Sequence, residues 1–218
     1  RYVGGHPMAG TSKSGWENSQ TGLFNRAAWV ITYDYAAECE ARGERIPAEW
    51  EKIFADVVRM TQKVHAEAVP VRVANHDAAV ARISHLPHVL AETLAVVGDN
   101  GGILAQSLAA GSFKDGTRVA GTRPDLVRQM CETNATALVT ALDEAIELMQ
   151  SARDSLASDK PSIAELADAG YRARTRIEAR SGARKESVSP VKISSRPVLR
   201  LHPGAPNWVA QLRQTESL

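Results

Sequence analysis

Apolar residues recur along this chain first at strand spacing and then, over most of its length, at helical spacing. Ala27–Thr32 (AAWVIT) is a short unbroken apolar run of strand length. Arg42-Gly43-Glu44 reads as a turn, and Pro47 opens a helix, as proline does at a first helical position. From Ala48 to Val64, Trp50, Ile53, Phe54, Val57, Val58 and Met60 fall on one helical face. Val69–Val73 (VPVRV) predicts a second strand, which Pro70 confines to an edge or a strand start.

Asn75 is the predicted N-cap of a long helix over 76–97. Pro87 stands in its middle, where it removes one hydrogen bond and costs ~3 kcal/mol. Such a kink is tolerated more readily where it opens a pocket. Gly98 to Gly102 ends that helix, and a second is predicted over 103–110. Residues 110–118 (AGSFKDGTR) read as loop, as do the Gly-, Ser- and Asn-rich residues 1–26. Pro124 starts the longest predicted helix, reaching about Ala157. Its stripe, including Leu126, Met130, Leu138, Leu142, Leu148 and Leu156, is wider than one partner needs, so it is central in a bundle or shared with another subunit. A last helix runs from a Ser162 cap to about Ala183.

Composition narrows the class. Of 218 residues, 44% are hydrophobic and only 5% aromatic, which favours helices packed through aliphatic side chains. With 26 basic and 25 acidic residues the net charge is +1, so nothing pulls the whole chain toward nucleic acid. No stretch approaches the ~18 apolar residues that span a bilayer, so no membrane partner is expected. Two distant cysteines, Cys39 and Cys131, exclude a disulfide framework and fit a reducing, cytoplasmic setting. Charge is uneven only near the end: between Tyr171 and Arg200 nine basic residues face two acidic ones. That stretch is either a solvated face or an anion-attracting arm.

Three constellations carry candidate chemistry. In Gly4-Gly5-His6-Pro7, glycine lets backbone approach a ligand and an imidazole with an ordinary pKa near ~6.5 can act as a general base, though a loop histidine can also be idle. His76-Asp77 and Ser84-His85-Leu86-Pro87-His88 hold three more imidazoles. His85 and His88 share a helix face, so a metal site with His76 is an alternative reading, but no HExxH or cysteine pair accompanies them and no metal is assigned. In Phe113-Lys114-Asp115-Gly116-Thr117-Arg118, Lys114 and Arg118 are four apart, and Arg118 can grip a carboxylate with a two-pronged fork. Asn134-Ala135-Thr136 matches a glycosylation sequon by chance, inside the predicted long helix.

The order and spacing of GGHPMAGTSKSG (4–15), HD (76–77), SHLPH (84–88) and FKDGTR (113–118) resemble the prephenate/arogenate dehydrogenases of tyrosine biosynthesis. The resemblance runs from residue 1 to about 157. It implies a mainly α chain: a trailing part of an α/β, Rossmann-like dinucleotide-binding domain at 1–73, an all-helical substrate-binding and dimerisation domain at 74–184, and a C-terminal arm of unknown role at 185–218. GxGxxG after a first strand does not occur, so roughly a hundred upstream residues are expected to be missing and the fragment alone to be inactive.

By the same resemblance the reaction is oxidative decarboxylation of a cyclohexadienol, prephenate or arogenate, with hydride passing to NAD or NADP. His6 is implied as the base toward the ring hydroxyl and Arg118 as the holder of the ring carboxylate. His88 and Gly111 are implied near the substrate side chain, and Ser12 stands at the pocket mouth where some members carry an acid. Lys114, Asp115, His76, Asp77 and His85 are implied as supporting positions. Gly5 and Pro7 are implied to touch the cofactor, whose other contacts lie upstream. A homodimer and inhibition by tyrosine are further expectations. The non-enzymatic alternative is a helical dimerisation module that binds tyrosine or a related aromatic amino acid.

Overall fold

The computed structural model describes residues 2–10, 15–181 and 208–216. Ser12 lies outside them, as does most of the 185–218 arm. Residues 1–76 with 170–218 form one compact unit, and residues 77–169 form another.

The first unit is built on a three-stranded sheet of order β1-β2-β3: β1 (Gly5–Pro7), β2 (Ala28–Thr32) and β3 (Glu67–Val71). β2 is the apolar run read from sequence. β3 begins two residues earlier than predicted, because its register is set by β2: Ala28 pairs Glu67, Val30 pairs Val69 and Thr32 pairs Val71, all parallel. Pro70 fits because β3 is an edge strand and a missing N–H on the outer side costs no ladder bond. Parallel neighbours require a crossover, supplied by α1 (Asp34–Ala41) and α2 (Ala48–Lys63).

β1 corrects the loop reading of residues 1–26. Gly5-His6-Pro7 has no apolar alternation to betray a strand, but its backbone pairs antiparallel with β2, His6 opposite Val30. The core beneath the sheet is aromatic. Trp50 and Phe54 of α2 are buried and stacked, with ring centroids 5.3 Å apart. Trp208 of α10 (Trp208–Glu216) meets both, at 6.1 and 5.4 Å. The described end of the C-terminal arm is therefore part of this core, with Val209 and Leu212 also buried.

α3 (Val73–Val80) leads into the second unit. The single helix predicted over 76–97 is three pieces: α3, a π-helical turn at Ala81–His85, and α4 (Leu86–Asp99). Asn75 is not the cap, since the helix has begun by Val73. Pro87 accounts for the π turn: its ring clashes with a carbonyl one α-turn back, and the ladder loosens so that Leu86 N–H donates to Ala81 C=O, five residues away.

α5 (Gly102–Leu108) follows, then α6 (Gly111–Thr117), where a loop was expected. Two glycines lower the helix propensity of 111–117, and tertiary contact overrides it. The Phe113 ring lies against Gly98, and Gly116 lies under Leu94, whose Cδ2 would stand 2.9 Å from any Cβ there. A 3-10 turn, Arg118–Gly121, closes the hairpin.

The helix predicted over 124–157 is two helices, α7 (Pro124–Thr133) and α8 (Ala135–Leu156), broken at Asn134. Asn134 leaves helical geometry (φ −114°, ψ 31°) because its side chain bonds elsewhere. α9 (Ala164–Ser181) starts as predicted from Ser162, whose Oγ accepts the Ala164 N–H at 3.2 Å.

Candidate active site

His6 is held by its strand rather than by its side chain. Beyond the ladder, Met8 N–H donates to Ala28 C=O at 2.8 Å and Thr32 N–H to Gly4 C=O at 2.9 Å. Gly4 N–H donates to Thr32 Oγ1 at 2.9 Å. A Cβ on Gly4 would come 2.8 Å from that hydroxyl, so the close approach needs glycine. His6 is exposed on this fixed backbone.

His76 reaches the same place from 70 residues away. β3 ends at Val71, and the Asp34 carboxylate catches the chain as it leaves: Arg72 Nε donates to Oδ1 and Val73 N–H to Oδ2, each at 2.9 Å. One carboxylate thus pairs a cation and occupies an orphan donor at the start of α3. His76 N–H donates to Arg72 C=O at 2.9 Å, one turn in. Its Nε2 then lies 2.8 Å from His6 Nδ1, with the two rings edge to face at 75°. Partial desolvation and, after it, the charge on His76 hold the His6 imidazolium below its ordinary pKa.

Sequence reading missed Asp34. Its only local signal is an acidic residue in a first helical turn, and its partner lies 39 residues on.

In the second unit, Asn134 Nδ2 donates to Asp77 C=O at 2.9 Å and lies 3.3 Å from His85 Nδ1. His85 is buried at the end of the π turn. The broken helix and the π turn therefore meet through one side chain. His88 sits in the first turn of α4, and its Nδ1 is buried without a hydrogen-bond partner among the described residues.

Gly111 opens α6 with open space at its Cβ position. Lys114, Asp115 and Arg118 are exposed on α6 and the 3-10 turn, which pack on α4. None of the three forms an ion pair among the described residues.

The structure thus joins His6 to His76, and His85 to the Asp77 backbone through Asn134. It gathers Lys114, Asp115 and Arg118 on one hairpin beside the helix of His88. His6 belongs to the first unit and Arg118 to the second. Gly5 and Pro7 flank His6 on β1. The metal alternative on His76, His85 and His88 finds no support: among the described residues no three His, Cys, Asp or Glu side chains are grouped to hold an ion.

Residues 1–59 match the family model for the prephenate dehydrogenase nucleotide-binding domain, and residues 72–160 match that for the prephenate dehydrogenase dimerization domain. Prephenate dehydrogenase of Bacillus subtilis is 30% identical over 149 residues, 67% of this chain and 37% of that protein. A crystal structure from Corynebacterium glutamicum, of a protein assigned as a prephenate dehydrogenase, is 58% identical with a TM-score of 0.86. It covers all of this chain, and 63% of its own chain is covered. Synechocystis arogenate dehydrogenase is 26% identical with a TM-score of 0.63, over 82% of this chain and 61% of that one. The chain spans less than two thirds of each relative. Two models of one family, matched in chain order, and a shared fold with its solved members place the chain in the prephenate/arogenate dehydrogenase family.

Proposed function

We propose that this chain supplies the substrate-binding and dimerising part of a dehydrogenase that oxidatively decarboxylates prephenate or arogenate. The observation that carries the reading is His6: an imidazole on a braced strand, its pKa lowered, with one nitrogen engaged by His76. A base must be neutral at working pH and must already point at its proton, and His6 meets the first condition through its environment. His6 takes the proton of the ring hydroxyl as the carbon bearing it loses hydride. Loss of carbon dioxide then leaves an aromatic ring, so the protein needs mainly to position groups.

Arg118, exposed and without an ion-pair partner among the described residues, is the proposed fork for the ring carboxylate. His88 and the Gly111 backbone are the proposed contacts to the side chain, where prephenate and arogenate differ. Lys114, Asp115, Asp77 and His85 support that arrangement, and Ser12 is proposed at its mouth. Tyrosine, which shares the ring and an amino-acid side chain, is the expected competitor.

NAD or NADP accepts the hydride. What these 218 residues offer to it is the β1 edge. At Gly5 a Cβ would meet Trp29 Nε1 at 3.0 Å, an indole nitrogen that is buried and has no hydrogen-bond partner among the described residues. Gly5 and Pro7 are the proposed contacts; the Gly-rich phosphate-cradling motif GxGxxG does not occur in these 218 residues.

Homodimerisation is supported by the apolar side chains the second unit leaves open. Val96, Val97, Ile103, Leu104 and Leu108 are 60–84% exposed on α4 and α5. Free Cys39 and Cys131 support a reducing, cytoplasmic setting. No described helix is long and apolar enough to cross a membrane.

The test uses the full-length protein with each nicotinamide cofactor and both substrates. His6→Asn should lower kcat by about 10²–10⁴-fold with a smaller change in KM. Arg118→Ala should chiefly raise KM, by about 10–100-fold, the loss of a charge-assisted contact. Undiminished turnover in His6→Asn would remove the assignment.

A further inference from the structure

We infer that His76 is a positioning residue: its Nε2 accepts the Nδ1–H of His6 and so holds His6 in the tautomer whose Nε2 is free to receive a proton. The inference rests on the reading of His6 as a base.

Two neutral imidazole nitrogens 2.8 Å apart must share one proton, so one ring donates and the other accepts. Only the two directions exist. If His76 donated, His6 would carry its own proton on Nε2 and present a donor to the substrate hydroxyl, which cannot take a proton. If His6 donates, its Nε2 is a bare lone pair. A ring nitrogen's partner dictates what the other nitrogen can do. An isolated imidazole side chain prefers the Nε2–H form, so a base acting through Nε2 needs something to enforce the less favoured tautomer.

The geometry is suited to that task because neither ring has to move. His6 is fixed through the β1–β2 ladder and Gly4, and His76 through the Asp34 clasp on Arg72 and Val73. The edge-to-face approach at 75° directs one ring's edge at the other rather than stacking the faces. Such preorganisation spares the reaction a rearrangement at the moment of proton transfer. The lowered pKa of His6 supports the picture, since a neutral ring is the one whose tautomer matters.

Long-range ¹H–¹⁵N spectra of the ¹⁵N-labelled 218-residue chain separate the two neutral tautomers by their nitrogen shifts. The measurement belongs at about pH 8, above the ordinary imidazole range. Loss of one ring system in His6→Asn assigns the His6 signals. His6 should be mostly Nδ1–H in the unaltered chain, mostly Nε2–H in His76→Leu, and mostly Nδ1–H again in His76→Glu, whose ionised carboxylate only accepts. An Nε2–H His6 in the unaltered chain overturns the inference without any variant having to fold. So does a tautomer unchanged by His76→Leu. No substrate or cofactor enters this measurement. Turnover that survives His6→Asn in the full-length enzyme sinks the base reading alone, whereas an Nε2–H His6 sinks the role of His76 whatever His6→Asn does to turnover.

Discussion

The ring of Phe113 on α6 rests on the bare Cα of Gly98 at the end of α4, where any Cβ would collide with it. This contact, with Gly116 under Leu94, seats the hairpin that carries Lys114 and Arg118 on the helix that carries His88. Gly98→Ala should therefore destabilise the chain by about 1–3 kcal/mol, the usual cost of overpacking. Phe113→Leu in the same chain should return part of that loss, a coupling that a double-mutant cycle by chemical denaturation reads directly. Additive effects would show that α6 is not seated through this pair.

Asn134 joins three features: the break between α7 and α8, the Asp77 carbonyl and the buried His85. Asn134→Ala favours a continuous helix by propensity but removes the Asn134 bond from a part-buried carbonyl and a ring nitrogen. Loss of the bonds should win, at about 1 kcal/mol or more. The expected outcome is a lower Tm, with a drop in protection of the Asp77–His85 amides from hydrogen exchange. A higher Tm would mean that the break is imposed by something other than the side chain.

His6 titrates below its ordinary value, first from desolvation and then from the charge on His76. The folded state thus binds its proton less readily than the unfolded chain. Its contribution to stability is complete above the unfolded value, near ~6.5, and is lost as pH falls toward the lowered folded value. Replacing His76 by Gln removes the second cause and keeps the first. The His6 midpoint, followed by NMR, should rise in His76→Gln while remaining below the ordinary value. In the full-length enzyme the acid limb of kcat/KM should move up with it. A midpoint that falls would reverse the sign assigned to His76.

Trp208 lies in the aromatic core of the first unit, against Trp50 and Phe54. Trp208→Ala should cost about 3–5 kcal/mol, the range for emptying a buried aromatic site. Arg213 of the same helix pairs with Glu40 of α1 at 2.8 Å, half-exposed, so Arg213→Ala should cost no more than about 1 kcal/mol. Equal effects of the two changes, measured by urea unfolding, would contradict the burial of α10.

The sequence by itself determined the elements whose signal is local. The apolar run at β2 and the face of Trp50, Phe54 and Val57 on α2 need only spacing to be read. Pro47, Pro124 and Ser162 mark helix starts and Pro70 marks an edge strand, each through its own local chemistry, and the order of the histidine and FKDGTR motifs marked the family. Tertiary structure alone decided what depends on partners distant along the chain. β1 exists because β2 offers its edge to a segment with no strand pattern. α6 exists because Gly98 admits Phe113. Asp34 caps a helix that begins 39 positions later, Trp208 returns to a core laid down by residues 31–68, and His6 finds His76 across 70 positions. A helical or strand period reports only which face of a segment is apolar. Which backbone, ring or carboxylate meets that segment is set by the packing of the whole, where one close approach outweighs several residues of local preference.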